Sequence, residues 1–508
     1  TSTVTPEQTV NTADIGAAFR HPDTLRRFAV IDSPDELNEI LNAPLEKWRT
    51  FLHPSQAKLV RRHFNGPARV LGGAGTGKTV VAMHRARHLA RAVFADPADR
   101  ILFTTFTRNL AANIEGNLAN LCGPEFARIE VTNLHRWATR FLQSQGFRLD
   151  IADPAEINEC WRTAVSVADT LGLTEAFYRA EWRHVIQAHG ISTRREYLHV
   201  ARRGRGTRLT RPQRGAVWAV FEDYRRLLAD LGKMEWFDLI KQCREYLATQ
   251  GTILPYRAIV VDETQDLHPE ELRLLRQMVP TGANDLFFVG DAHQRIYGRP
   301  VVMSHCGLEI RGRSSKLRIN YRTTEEIRNW SIGVLAGESI DDLDGGADTL
   351  AEYTSLMHGT EPVIQHFTTL DEELAHLVAD CRALVEITAP ESICVVARTK
   401  RQISQHYAPA LADAGIAHSL LDAHSGDTEE PGVRLATMHR VKGLEFAHVR
   451  IVGVNANIMP AIPNEDDLDQ VGRAEAELRE RCVLHVAATR ARNTLGVSSY
   501  GQPSPFIL

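Results

Sequence analysis

The sequence lacks long hydrophobic runs and paired cysteines. Seven cysteines occur in 508 residues, and the closest two, Cys381 and Cys394, stand 13 positions apart. The common zinc and redox motifs are therefore excluded, and an odd number of scattered cysteines is typical of a reducing compartment. No apolar run approaches the ~18 residues that a membrane helix needs, and no secretory signal opens the chain. We therefore expect a cytoplasmic protein without membrane contact.

An excess of either charge is also lacking. The chain has 59 Lys and Arg against 63 Asp and Glu, a net charge of −4. A nucleic-acid site would therefore have to be a local patch, because no global positive field exists. An apolar fraction of 43% excludes a mostly disordered chain. Residue 1 is Thr rather than Met, which leaves open whether a further domain precedes this sequence.

Short apolar runs rich in branched residues alternate with helical patterns along most of the chain. They include Arg69–Leu71, Ile101–Thr105, Ala258–Val261 and Ile393–Ala397. Such runs are typical of buried parallel strands in α/β domains. Between about Gln145 and Gln250 the pattern is helical, which predicts a helical subdomain inserted in the first α/β unit.

A glycine-rich turn follows the first of these runs and reads GGAGTGKT from Gly72 to Thr79. It satisfies the phosphate-loop pattern GxxxxGK[ST] and lies between a predicted strand and a predicted helix. Lys78 is expected to reach the β- and γ-phosphates, and Thr79 to offer its hydroxyl to Mg²⁺. A purely structural turn is the alternative, and the flanking elements disfavour it. The predicted nucleotide-binding residues of the loop are Gly73, Ala74, Gly75, Thr76, Gly77, Lys78 and Thr79.

Two adjacent acids follow the predicted strand that ends at Val261. Asp262 is expected to hold Mg²⁺, directly or through water, and Glu263 to orient and deprotonate the attacking water. An acidic surface loop is the alternative. Paired with the phosphate loop, the two acids predict hydrolysis of a nucleoside triphosphate with magnesium.

The segment DETQD at Asp262–Asp266 resembles the UvrD/Rep-like helicases of superfamily 1, and further segments resemble that family's motifs in order. The resemblance implies that Gln56 reads adenine, which favours ATP, and that Tyr321 stacks on the adenine. Glu445 would bond the ribose.

The same resemblance implies the groups that act on the γ-phosphate. Gln294 would sense it, Arg322 would contact it, and Arg490 would act as an arginine finger. With Lys78 and Glu263, these residues form the predicted catalytic set. A finger from a second domain is worth ~10³–10⁵ in rate, so ATP is expected to bind between two domains.

The resemblance also points to residues that contact a nucleic-acid strand. They are Phe106, Thr107, Arg108, His135, Thr437 and His439. An arginine-rich stretch in the predicted insertion, with Arg202, Arg203 and Arg205, predicts phosphate tracking, whereas a solvated loop or a patch for an acidic protein is the alternative. After Tyr297 the family's Trp is missing, and Arg299 could stack on a base or contact phosphate instead.

The resemblance implies an α/β fold with two RecA-like domains. The predicted organisation is an N-terminal segment (1–50), a first RecA-like domain in two parts (51–144 and 253–315), a helical insertion (145–252) and a second RecA-like domain (316–508). Only 115 positions separate Arg322 from Thr437. A plain RecA-like core needs most of them, so we expect a short form without a second accessory insertion.

The sequence predicts an ATP- and Mg²⁺-dependent translocase or helicase on single-stranded DNA or a strand junction, with 3′ to 5′ polarity by resemblance. One alternative is an ATP-driven remodeller of a protein–nucleic-acid complex. Another is an ATP-gated interaction module without turnover. Nothing identifies a reader of the RNA 2′-hydroxyl, so DNA against RNA and any protein partner are left open.

Overall fold

A computed structural model describes residues 52–202, 205–297, 301–342, 346–348, 353–421, 431–462 and 470–507. The predicted N-terminal segment 1–50 lies outside these ranges. The described chain forms two six-stranded parallel sheets with helices against them, as predicted for two RecA-like domains. Each helix among these residues is too short or too polar to span a bilayer.

The first sheet begins around the glycine-rich turn. In chain order its first elements are α1 (Pro54–Arg61), β1 (Ala68–Gly72), α2 (Lys78–His88), β2 (Arg100–Thr105), α3 (Arg108–Leu121), β3 (Ile129–Asn133) and α4 (Leu134–Ser144). The strands β1 and β2 are almost completely buried, which explains their nearly continuous apolar character. Thr107 and Asn133 cap α3 and α4 by accepting from backbone N–H groups of the first turn.

A helical insertion follows α4 and has a core of its own. Its helices are α5 (Pro154–Ala168), α6 (Glu175–Glu181), α7 (Arg194–His199) and α8 (Arg211–Asp230). Aromatic side chains fill the core, where Trp161 stacks on Tyr224 with ring centroids 3.9 Å apart. Asp153 and Thr210 form capping boxes that fix where α5 and α8 begin.

The first domain then resumes. Its remaining elements are α9 (Trp236–Gln250), β4 (Tyr256–Val261), α10 (Pro269–Met278), β5 (Leu286–Gly290) and β6 (Ser314–Leu317). The strand order is β3-β2-β4-β5-β1-β6. Two predicted boundaries differ from this arrangement. Helix α9 packs Leu239 and Ile240 into the first domain's core, and β6 places residues 316 and 317 in the first sheet.

The second domain starts one residue after β6. Its elements are β7 (Ile319–Thr324), α11 (Glu325–Gly333), β8 (Ile340–Asp341), β9 (Ala347–Asp348), β10 (Thr354–Met357), β11 (Val363–Phe367), α12 (Leu370–Ile387), β12 (Ile393–Ala397), α13 (Lys400–Gln402), α14 (Ala408–Asp413), β13 (His418–Leu420), β14 (Val433–Thr437), β15 (Phe446–Ile451), α15 (Gln470–Ala488) and β16 (Ala491–Tyr500). The main sheet has the order β11-β16-β15-β12-β14-β13.

The assigned elements of the second domain are compatible with the short form predicted from the sequence. Only residues 421–432 join β13 to β14, and the longest interval between assigned helices and strands in the second domain, residues 452–469, has 18 positions. Neither is long enough for a further folded domain. The two domains share one apolar cluster, in which Leu71, Ala292 and Ile296 of the first lie with Cys482 and Leu484 of the second.

Candidate functional site

The glycine-rich turn wraps around the start of α2. Gly75 and Gly77 have φ of 73° and 78°, a left-handed conformation that favours glycine. A Cβ at Gly75 would stand 2.1 Å from Oδ1 of Asn320 on β7, so the second domain already lies against the turn. The Thr76 hydroxyl donates to the Gly73 carbonyl at 2.9 Å and stiffens the loop.

Lys78 points back across the turn that precedes it. Its Nζ donates to the carbonyls of Gly72 and Gly73, both at 2.8 Å, and lies 3.2 Å from Oδ2 of Asp291. Burial alone would raise the pKa of Asp291, but the Lys78 ammonium and the neighbouring His293 hold that pKa below its ordinary value. A fixed positive charge therefore lies where the phosphates of a nucleotide would bind.

The two predicted acids lie beside this charge at the end of β4. The Thr79 hydroxyl donates to Oδ2 of Asp262 at 2.7 Å, while Oδ1 of Asp262 accepts from the Glu263 N–H at 2.9 Å. Burial, with Glu263 close by, raises the pKa of Asp262. Hydroxyl and carboxylate oxygens suit Mg²⁺, which takes one or two protein ligands and completes its shell with phosphate and water. The residues present therefore fit the predicted ion.

Glu263 has a φ of 55°, which is uncommon for a residue with a side chain. Its carboxylate accepts from the side chain of Gln265. Such backbone strain clusters at functional sites, and here it follows directly from the end of β4 beside Asp262.

The second domain supplies a buried guanidinium to the same site. Nη2 of Arg490 donates to Oε1 of Gln294 at 3.1 Å, and Nε2 of Gln294 donates to Oδ2 of Asp291 at 2.7 Å. Burial, with Arg322 nearby, lowers the pKa of Arg490 to about 10. Lys78, Asp291, Gln294 and Arg490 therefore form one continuous polar chain from the first domain to the second.

Arg322 reaches the site from β7. Its guanidinium pairs with Glu445 at 2.5 Å, and the backbone N–H of Tyr321 donates to the Gly75 carbonyl at 3.0 Å. Glu445, predicted to bond the ribose, is therefore engaged by Arg322 in this structure. A Cβ at Gly75 would stand 2.7 Å from Cβ of Arg322, so Arg322 lies against the turn that carries Lys78.

A cavity lies at the other end of the turn. Nε2 of Gln56 donates to the Thr76 carbonyl at 2.9 Å, and the rings of His53 and Tyr321 have centroids 5.4 Å apart. Gln56 and Tyr321 line a cavity of about 390 Å³ together with Leu59 and Leu317. The structure thus brings the two predicted adenine contacts together.

The predicted strand-contacting residues lie on a neighbouring face. Phe106 stacks on Tyr297 with ring centroids 5.3 Å apart, and His439 lies 6.0 Å from the Tyr297 ring. Tyr297 is 42% exposed, although sequence reasoning gave it no role. Thr437 lies at the end of β14, and the Thr107 hydroxyl is used to cap α3.

A groove of about 860 Å³ runs from Phe106 to the insertion. Arg108 and Arg136 line it, and His135 meets the ring of Trp236 edge-on at 5.0 Å. Trp236 is another residue that sequence reasoning missed; it follows Glu235, the N-cap residue of α9, whose backbone N–H donates to Oδ2 of Asp238 at 3.2 Å.

An imidazole and a carboxylate lie at the floor of this groove. Nε2 of His135 is 3.5 Å from Oε1 of Glu271. Burial lowers the pKa of His135 to about 4 and raises that of Glu271 to about 7.

The arginine-rich stretch corrects a prediction. The side chains of Arg202 and Arg205 are only 5% and 6% exposed, and both pair with Glu181, which has no exposed surface. Their guanidinium groups compensate the charge of this buried carboxylate, so in this structure they are not available to contact the phosphates of a nucleic acid. Arg203 and Arg299 lie outside the described residues. The exposed arginines of this region are Arg194, Arg195, Arg208 and Arg211.

Lys442 lies between the phosphate-binding residues (the nucleotide side) and the ring of Tyr297, which packs with the predicted strand contacts Phe106 and His439 (the strand side). Sequence reasoning gave this lysine no role. Its Nζ binds the carboxylate of Asp266, lies 3.8 Å from Oε2 of Glu263 and donates to the Gln294 carbonyl at 2.8 Å. It also lies 5.5 Å from the centroid of the Tyr297 ring. The position of this lysine after His439 in the second domain was the available signal.

Comparisons with known proteins agree with this geometry. Residues 52–299 match the UvrD/REP helicase N-terminal domain, and residues 411–502 match the UvrD-like helicase C-terminal domain. A probable DNA helicase of Mycoplasma pneumoniae is 24% identical over 475 residues, 87% of this chain and 84% of that protein.

Two mycobacterial proteins are also similar over part of their length. ATP-dependent DNA helicase UvrD1 of Mycobacterium tuberculosis is 28% identical over 325 residues, 58% of this chain and 40% of that protein. UvrD2 of the same species is 25% identical over 385 residues, 70% of this chain and 53% of that protein. The matches thus span about half of the length of these two relatives or less.

Proposed function

Because the chain belongs to the UvrD/Rep helicase family, we propose that it hydrolyses ATP with Mg²⁺ between its two RecA-like domains and uses the cycle to move along single-stranded DNA in the 3′ to 5′ direction. The observation that supports this best is the polar chain from Lys78 through Asp291 and Gln294 to Arg490. It joins the phosphate loop of one domain to a guanidinium of the other.

The residues divide the hydrolytic work between the two domains. Lys78 and the loop N–H groups hold the phosphates, and the Glu263 carboxylate orients a water and accepts its proton. Thr79 and Asp262 would hold Mg²⁺, which supplies positive charge to the phosphate oxygens. Arg490 stabilises the charge that develops on the transferred phosphoryl group.

Lys442 provides a physical link between ATP hydrolysis and the residues proposed to contact the DNA strand. Its ammonium bonds the Gln294 carbonyl on the nucleotide side and faces the Tyr297 ring on the strand side. A shift of Gln294 when the γ-phosphate leaves would therefore move a group that contacts a stacking platform. Phe106, Tyr297 and His439 would hold bases by stacking, which tolerates any sequence.

The first experiment measures ATP turnover with single-stranded DNA, duplex DNA and RNA as separate activators. We expect single-stranded DNA to stimulate ATP turnover. Lys78→Ala should abolish this turnover, because the phosphates are no longer held. Lys400→Ala is the matched control, since Lys400 is an exposed lysine at the start of α13. Turnover in Lys78→Ala equal to that of the wild type would contradict the assigned site.

A second experiment separates movement from unwinding. Displacement of streptavidin from either end of a biotinylated single strand gives the direction of travel, and strand displacement from a tailed duplex gives unwinding. Faster release from the 5′ end supports the proposed polarity, whereas faster release from the 3′ end overturns it. Release without duplex unwinding would favour the remodelling alternative, which the predicted short form also favours.

A further inference from the structure

An acidic hairpin of the second domain reaches back to the first domain. It consists of β8 and β9, which pair antiparallel with Ile340 opposite Asp348, and the Asp342 N–H donates to the Gly346 carbonyl at 2.8 Å. Ile340 is buried in the apolar cluster that the two domains share. Three acids of the described part of the hairpin, Asp341, Asp342 and Asp348, face cations of the first domain.

These cations come from three places in the first domain. Lys316 on β6 bonds Oδ1 of Asp348 at 2.6 Å. Arg69 on β1 donates to the Asp342 carbonyl and lies 3.7 Å from its carboxylate. Nη2 of Arg295 lies 3.7 Å from Oδ1 of Asp341. The hairpin therefore touches the strand before the phosphate loop, the edge of the first sheet and the segment that follows Gln294.

The last of these contacts has a counterpart on the other side of Gln294. Nδ1 of His293 lies 3.3 Å from Asp291 and 3.8 Å from Oδ2 of Asp348. Both chain neighbours of Gln294 thus face hairpin acids, while Arg490 and Lys442 bind Gln294 itself. The short segment that carries Gln294 is held from two sides.

Burial strengthens the electrostatic interactions between the hairpin and the first domain. The side chain of Asp348 is 2% exposed and that of Arg295 is 8% exposed. Opposite charges that are removed from water interact far more strongly than exposed pairs, and removing one partner leaves the other uncompensated.

We propose that Asp341 and Asp348 are positioning residues for ATP hydrolysis: by holding Arg295 and His293 they keep Gln294 in place to sense the γ-phosphate. This inference rests on the proposed function. The hairpin belongs to the second domain and Gln294 to the first. The contacts that hold Gln294 in place therefore depend on the relative position of the two domains. A merely structural hairpin would affect stability and leave the recognition of the γ-phosphate unchanged.

The test compares the wild type with Asp348→Asn and Asp341→Asn in the full chain. Affinities for ADP and for a non-hydrolysable ATP analogue are measured by titration, and kcat and KM by steady-state turnover with single-stranded DNA. We expect about tenfold weaker analogue binding with unchanged ADP binding, and a kcat reduced by about tenfold. Asp223→Asn is the control, because Asp223 forms a surface pair with Arg226 on α8.

Unchanged preference for the analogue over ADP in both variants would overturn the proposal, even if their thermal midpoints fall. Asp341 is 23% exposed, so Asp341→Asn keeps the test valid if Asp348→Asn fails to fold. Absence of turnover in the wild type would contradict the proposed function alone, because the binding comparison needs no hydrolysis. Loss of the preference in the variants would then still support the positioning role.

Discussion

Replacing Lys442 with methionine tests the bridge between the nucleotide side and the strand side. The ammonium of Lys442 lies against the carboxylate of Asp266, which has no exposed surface, and 3.8 Å from Glu263. Methionine keeps most of the side-chain volume and removes the charge. The variant therefore leaves Asp266 buried without its cation.

Breaking a buried pair by removing one partner costs about 3–5 kcal/mol. At roughly 2–4 °C per kcal/mol for a domain of this size, the thermal midpoint should fall on the order of 10 °C. The loss should depend on pH, because burial raises the pKa of Asp266 to about 6 even with Lys442 present. Without Lys442 that pKa rises further. At pH 8 Asp266 must then either carry an uncompensated buried charge or take up a proton that the unfolded chain does not bind. At pH 5 it is neutral at little cost, so the deficit is larger at pH 8.

Thermal unfolding followed by circular dichroism at pH 8 and pH 5 measures this deficit. The double variant Lys442→Met/Asp266→Asn should recover much of the loss at pH 8, since both charges are gone. Lys400→Met is the control at an exposed site. A deficit that is equal at both pH values, or a double variant less stable than Lys442→Met, would refute the reasoning.

Four further predictions follow from the site. Glu263→Gln should bind ATP as the wild type does but turn over at least 100-fold more slowly, because general-base catalysis is worth about 10²–10⁴; rapid turnover would remove Glu263 from that role. Phe106→Ala and Tyr297→Ala should each weaken binding of single-stranded DNA by about 1–3 kcal/mol in a fluorescence-anisotropy titration, whereas unchanged affinity would place the strand elsewhere. Glu271→Gln should raise the thermal midpoint relative to the wild type by more at pH 8 than at pH 5, because burial raises the pKa of Glu271 to about 7 and its charged form is buried at a cost; a constant difference argues against that shift. Arg202→Gln should lower the thermal midpoint and leave the salt dependence of DNA binding unaltered, since the side chain pairs with a buried acid; a flatter salt slope would restore its predicted role on phosphate.

The nucleotide side was predictable because its chemistry is local in sequence. Lys78, Thr79 and Asp262 belong to short motifs whose flanking strands and helix follow from apolar patterning. In the structure Thr79 hydrogen-bonds Asp262, and Lys78 hydrogen-bonds Asp291. Parallel strands place their carboxyl ends at one edge of the sheet. The fold class therefore followed from the same patterning.

The strand side was less predictable because it depends on contacts distant in sequence. Arg202 and Arg205 looked like solvent-exposed charge, and only the fold brings Glu181 beneath them. Likewise, Tyr297 meets Phe106 across the first sheet, and Lys442 meets Asp266 across the two domains. The spacing of residues in the sequence does not show which of them form such pairs.

The single residue between β6 and β7 gives the two arginines of the site different freedom. Arg322 stands five positions after Leu317, the last residue of the first sheet, so the chain allows it to move at most about 16–18 Å from that edge. Arg490 stands far from this junction in the sequence, so its distance from the nucleotide site depends on how the second domain docks against the first. The distance that Arg322 can move away from the nucleotide during the cycle is therefore limited by the chain, and the distance from Arg490 to Gln294 would report whether the cleft is open or shut.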